Sequence, residues 1–229
     1  MGHIKKGEIL ELGKEVIEVI KKSVATEIKD GALYLMKQKE ISFIVKILFL
    51  LWSALGAIYV VAIVFIQHAL GTVTKDLGLL IMFLGAGLFI GSLVYGRLGH
   101  KISHFKIIFS CFAFSGIVLS FFVIVLTVYP NFLVAAILAF IFGIIVSPIM
   151  AAANTLVHEA STSQMRGKVF SSLEIVMHFA FLIFMLISSK LADLAGEFWF
   201  LFYTGFIIAV TGTIGFIKYV VISPSIKND

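Results

Sequence analysis

A chain of 229 residues that is 60% hydrophobic and 14% charged, with a mean hydropathy of +1.09, is not an ordinary soluble domain. Soluble domains run about 45–50% apolar and about 25% charged. The net charge is +5, yet the 82 residues between Asp76 and Glu159 contain no acid at all, which suits a surface facing lipid rather than water. The single Cys111 excludes an intramolecular disulfide framework. Residues 1–40 lack the short apolar core and small-residue cleavage site of a signal peptide.

In chain order, within a lead-in of residues 1–40, residues 7–39 alternate charge with Ile9, Leu12, Val16, Ile20, Val24, Ile28 and Leu35, a spacing that fits an amphipathic helix. This lead-in reads either as a helix lying on the cytoplasmic membrane face or against a partner, or as a solvated linker. Residues 41–223 form the expected bundle and 224–229 a short tail. Six apolar runs, about 42–67, 77–96, 105–128, 131–156, 169–194 and 197–222, are each long enough to cross about 30 Å of hydrocarbon. Continuous apolar runs of this length predict helices, since an open sheet would strand backbone groups in lipid and a barrel would alternate. The fold class is therefore an all-α membrane protein with six transmembrane helices.

Small residues mark several helix faces. Span two carries Gly87 and Gly91; span four carries Gly143 and Ser147, followed by Pro148; span six carries Gly205, Gly212 and Gly215. Such residues let membrane helices approach closely. Pro148 adds the possibility of a hinge, because it removes a backbone hydrogen bond.

Lysine and arginine set the expected orientation. With the amino terminus inside, 16 of the 18 basic residues are cytoplasmic and only Lys75 and Lys190 are external. The positive-inside rule places both termini in the cytoplasm of a cell (plasma or inner) membrane. The basic charge is thus explained by topology, with no nucleic-acid partner needed. Tyr129 and Phe132 at one external turn, and Phe198, Trp199, Phe200 and Tyr203 at another, read as interfacial anchors.

Three segments resemble a known family. Gly91-Ser92-Leu93-Val94-Tyr95-Gly96-Arg97-Leu98-Gly99-His100-Lys101 resembles the G-x-x-x-D-R-x-G-R-K loop signature of the major facilitator superfamily. Asn154-Thr155-Leu156, Glu159-Ala160 and Met165-Arg166-Gly167-Lys168-Val169-Phe170 are similar to the loop before the penultimate helix in its drug- and siderophore-exporting branch. Asp30-Gly31-Ala32-Leu33-Tyr34-Leu35 looks like that branch's lead-in to the second half. Gly96 stands where the first signature has its acid, and Thr162 where the second loop usually has proline.

The resemblance implies a carboxy-terminal six-helix half built of two inverted three-helix repeats, moving by alternating access. It implies export of a hydrophobic small molecule, with proton antiport as the coupling. It also implies a lipid bilayer around the chain and a second six-helix half beside it, as a separate chain or a homodimer. No cofactor or metal is implied. A different class stays open, a truncated or split product that does not transport and serves as a partner subunit. An intramembrane enzyme is a more remote alternative.

Other motifs are incomplete. Gly85-Ala86-Gly87 lacks the preceding strand and following acid of a dinucleotide loop. His158-Glu159 lacks the second histidine of a zinc protease, and His100 with His104 lacks a third ligand. Ala113-Phe114-Ser115-Gly116 has no histidine in the last span to complete a serine protease. Polar residues inside the spans carry more meaning, because an intramembrane ionisable group is costly. Glu174 and His178 are one turn apart on span five, after Ser171, and Glu174 lies about 12 Å along from Arg166. Two readings stand: a proton-titrating or substrate-contacting pair on a transport path, or a latch from Glu174 to Arg97 or Lys101. Asn154 reads as a further path residue or as a hydrogen bond between helices.

Overall fold

The computed structural model describes residues 39–71 and 74–218. The amino-terminal lead-in before Lys39, and the tail at 224–229, lie outside the described residues. Six long helices follow one another: α1 (Lys39–Leu70), α2 (Thr74–Leu98), α3 (His104–Val128), α4 (Phe132–Ala160), α5 (Arg166–Ala195) and α6 (Glu197–Phe216). A short 3-10 turn, Gly99–Lys101, joins α2 to α3. There is no strand among the described residues, and all six helices are long and apolar enough to cross a membrane.

Helix ends follow local chemistry rather than hydropathy. Pro130 and Asn131 separate α3 from α4, and the Asn131 side chain caps α4 by accepting from the amides of Leu133 (2.8 Å) and Val134 (3.4 Å). Between α5 and α6 the chain turns at Gly196, whose φ of +83° suits a residue without Cβ. Helices α4 and α5 extend past the apolar edges at 156 and 169, through His158 and Glu159 and back to Arg166. Residues 219–222 of the sixth predicted span fall outside the described residues.

The most extensive pairs are α1 with α5, α2 with α4, and α3 with α6. Exchanging α1–α3 for α4–α6 maps the first pair onto the second and the third onto itself. It also exchanges the lesser pairs α3–α4 and α1–α6. The bundle therefore has the pairing of two inverted three-helix units.

Lipid tails are as apolar as leucine, so these helices associate by close packing. Each main pair has glycine at its contact. A Cβ at Gly87 would strike the Phe140 carbonyl, and one at Gly91 the carbonyl of Ile144 and the Ser147 side chain. Gly143 sits reciprocally against Leu84 and Leu88. Gly56 meets the Phe181 backbone between α1 and α5, while Gly116, Gly205 and Gly212 bring α3 and α6 together. Ser120 adds a hydrogen bond across that last pair, donating to the Phe202 carbonyl at 3.2 Å. Two buried clusters fill the bundle. One, around Leu48, Ile108, Ile149, Val157 and Leu173, lies toward the end carrying the α2–α3 and α4–α5 loops; the other, around Val61, Leu126, Ala135 and Leu201, lies toward the opposite end. Large side chains such as Phe89, Phe179, Leu186 and Leu194 point outward, as lipid-facing residues do.

Candidate functional site

The end with the α2–α3 and α4–α5 loops, which carry Arg97, Lys101 and Arg166, is the basic end. On α5, Glu174, about 12 Å along from Arg166, forms a pair with His178 one turn further on. His178 Nδ1 lies 2.8 Å from the Glu174 backbone carbonyl and 3.3 Å from its carboxylate. A carbonyl only accepts, so Nδ1 carries the hydrogen and Nε2 is the nitrogen left to take up or release a proton. Across the helix contact the Trp52 ring lies 5.0 Å from the imidazole and 6.1 Å from Phe181, which in turn meets Tyr59 at 5.7 Å. Phe49 and Phe184 continue the same α1–α5 seam edge to face.

The pair is not covered by the bundle. The His178 and Glu174 side chains are 60% and 57% exposed. The indole N–H of Trp52 is buried with no hydrogen-bond partner among the described residues. An ionisable pair within a span, beside an orphaned donor and a row of aromatic rings, is a face suited to something other than hydrocarbon.

The remaining sequence candidates do not converge on this pair. Ser171 is exposed and spends its hydroxyl on its own helix, donating to Gly167 and Lys168 carbonyls. Asn154 is exposed on α4 and makes no side-chain hydrogen bond among the described residues, so it does not link helices there. Among the described residues Glu174 pairs with His178 and not with Arg97 or Lys101, and the expected latch is not formed. Arg97, Lys101 and Gly167 are exposed, while Gly99 is buried against the Tyr95 ring. Arg166 reaches the His158 carbonyl at 3.4 Å. Gly87, Gly91, Gly143 and Ser147 meet at the α2–α4 crossing, with the buried Pro148 beside them, a different helix pair from the α1–α5 seam.

Two polar constellations were not foreseen from sequence. Tyr95, His104, Thr155 and Glu159 gather at the basic end. At the opposite end His68 lies 3.0 Å from Glu197 beside a cavity of about 640 Å³ lined by Phe65, Leu126, Asp193 and Phe198. Among the described residues no three His, Cys, Asp or Glu side chains are grouped to hold a metal ion.

This architecture of paired three-helix units agrees with comparison to known families, where the Major Facilitator Superfamily profile matches residues 44–228. The chain belongs to the major facilitator superfamily. No individual curated protein matches it. As a member of that superfamily it is a multi-pass membrane protein of a transporter family, and all six described helices overlap the matched region.

Proposed function

We propose that these six helices are one half of an exporter-like secondary transporter, in which Glu174 and His178 couple proton movement to efflux of a hydrophobic small molecule. The carrying observation is the exposed pair on the α1–α5 seam. Facing lipid, a charge at the bilayer centre costs roughly 2.5–3.5 kcal/mol, less nearer the interface. Facing a wet path or a second six-helix unit, it costs little and can titrate. The aromatic seam of Trp52, Tyr59, Phe181 and Phe49 supplies apolar walls for a ligand. In this reading the signature residues Gly91, Arg97, Gly99, Lys101, Arg166 and Gly167 lie in or lead into the cytoplasmic turns between α2 and α3 and between α4 and α5.

Alternating access needs two bundles that move against one another around a midplane site. The functional unit is therefore this bundle with a second six-helix half, either a separate unit or another copy. Reconstitution in liposomes with an imposed pH gradient tests this. Paired bundles should accumulate an exported dye or drug, whereas the chain held as a monomer, verified by crosslinking and native mass, should not. Gradient-driven accumulation by the verified monomer would overturn the two-bundle requirement.

The orientation gives a separate expected result. Reporter fusions after residues 130 and 196 should be external, and those after 103, 163 and 229 cytoplasmic. A fusion reporting the opposite side would remove a span and the six-helix reading with it.

A further inference from the structure

Three helices meet around Tyr95 at the basic end. Its hydroxyl lies 3.0 Å from His104 Nδ1, at the start of α3, and donates to Thr155 Oγ1 on α4 at 3.4 Å. Thr155 gives its own proton to the Ala151 carbonyl at 2.9 Å, so its oxygen is left to accept. The contact from Tyr95 to Thr155 is long, and in the shorter one either Tyr95 or His104 Nδ1 donates according to the ring's tautomer. The remaining link runs from His104 Nε2. That nitrogen lies 3.8 Å from Glu159 Oε1, an ion-pair rather than a hydrogen-bond distance. A neutral ring carries no charge to set against the carboxylate at that distance. A ring protonated at both nitrogens pairs with it.

We propose that Tyr95, His104 and Glu159 form a proton-operated clamp that ties α2, α3 and α4 together at the basic end when His104 is protonated and releases the α3–α4 link when it is not. The groups around it set the sign. From α2 His104 faces Tyr95, and from α4 it faces Glu159, with His158 beside that acid. Lys101 and Lys106 flank it in the chain, Arg166 on α5 turns to the His158 carbonyl, and Lys218 follows α6. Within ion-pair distance of His104, among the described residues, Glu159 is the carboxylate that can balance its charge. The clamp does not depend on Glu174 or on any transported substrate.

Histidine is the side chain that changes charge near neutral pH, so the clamp can be read by hydrogen exchange at about pH 6 and about pH 8. The full chain in lipid nanodiscs is used, with rates corrected for intrinsic pH dependence. The first-turn amides of α3, including Ile107, which bonds to the Ser103 carbonyl, report the link. Glu159 is 59% exposed, so the effect is that of a solvated pair: about two- to fivefold greater protection at the lower pH. Glu159→Gln and His104→Gln should each abolish that difference, while Glu174→Gln should leave it intact. Glu159→Gln changes an exposed side chain and so keeps the test available should His104→Gln fail to fold. Equal protection at the two pH values in the native chain, or an unchanged pH difference in Glu159→Gln, would overturn the clamp.

Discussion

Gly91→Leu should lower the thermal unfolding midpoint in detergent by roughly 5–10 °C, the size expected for forcing a side chain into a closed contact in a domain of this length. The reason is local. Helices α2 and α4 cross where Gly87 and Gly91 leave room for the Phe140 and Ile144 carbonyls, with Gly143 and Ser147 opposite. A leucine there meets the Ile144 backbone and the Ser147 Cβ, neither of which is the far end of a flexible side chain, so the helices must separate. They would lose the dispersion contacts on which membrane packing depends. Gly87→Leu should behave alike. Gly85, one position from that face, has nothing within reach of an added Cβ, and Gly85→Leu should stay within about 2 °C of the parent, as surface changes do. Equal midpoints for Gly85→Leu and Gly91→Leu would show that the crossing does not depend on small residues.

Glu174→Gln should reduce proton-gradient-driven accumulation to the level of empty liposomes while leaving the fold intact. Glutamine keeps the length of the side chain but cannot release a proton. The imidazole should not move, because its Nδ1–H is held by the backbone carbonyl of residue 174, which the substitution does not touch. Stability should hold or rise, since a neutral amide costs less than a carboxylate within the bilayer. Loss of coupling with an unchanged unfolding midpoint is thus the expected pairing of results. Full gradient-driven accumulation by Glu174→Gln, in a preparation where the parent also accumulates, would remove this pair from the coupling role. His178→Ala distinguishes the partners further, as it also strips the ring from the face of Trp52.

The six spans were legible because hydrocarbon imposes one requirement everywhere, a long apolar run with its backbone satisfied internally. Their edges were less so. Hydropathy stops at the first charges, whereas a helix continues while its amides find carbonyls, which is why α4 takes in His158 and Glu159 and α5 starts at Arg166. The Glu174–His178 pair could be read from a spacing of four on one helix. Trp52 could not, because its approach to His178 depends on how α1 lies against α5. The gathering of Tyr95, His104 and Glu159 comes from three helices, and no spacing in the chain encodes it. His104 drew notice only as a spare metal ligand beside His100. Glycines on spans two and four were visible as small-residue faces, but which glycine met which carbonyl was a matter of register between helices.

Pro148 and Gly91 are not independent positions. Proline has no amide hydrogen, so the carbonyl four residues earlier, that of Ile144, is denied its usual donor within α4. That oxygen is the one against which Gly91 is seated. Glycine alone presents two Cα hydrogens and no branch, and a weak C–H contact can reach an acceptor the helix has left unused. The imperfection in one helix is therefore met by the bareness of the other. Substitutions that restore an amide at 148 and those that add bulk at 91 act on the same atom, and their effects will not sum.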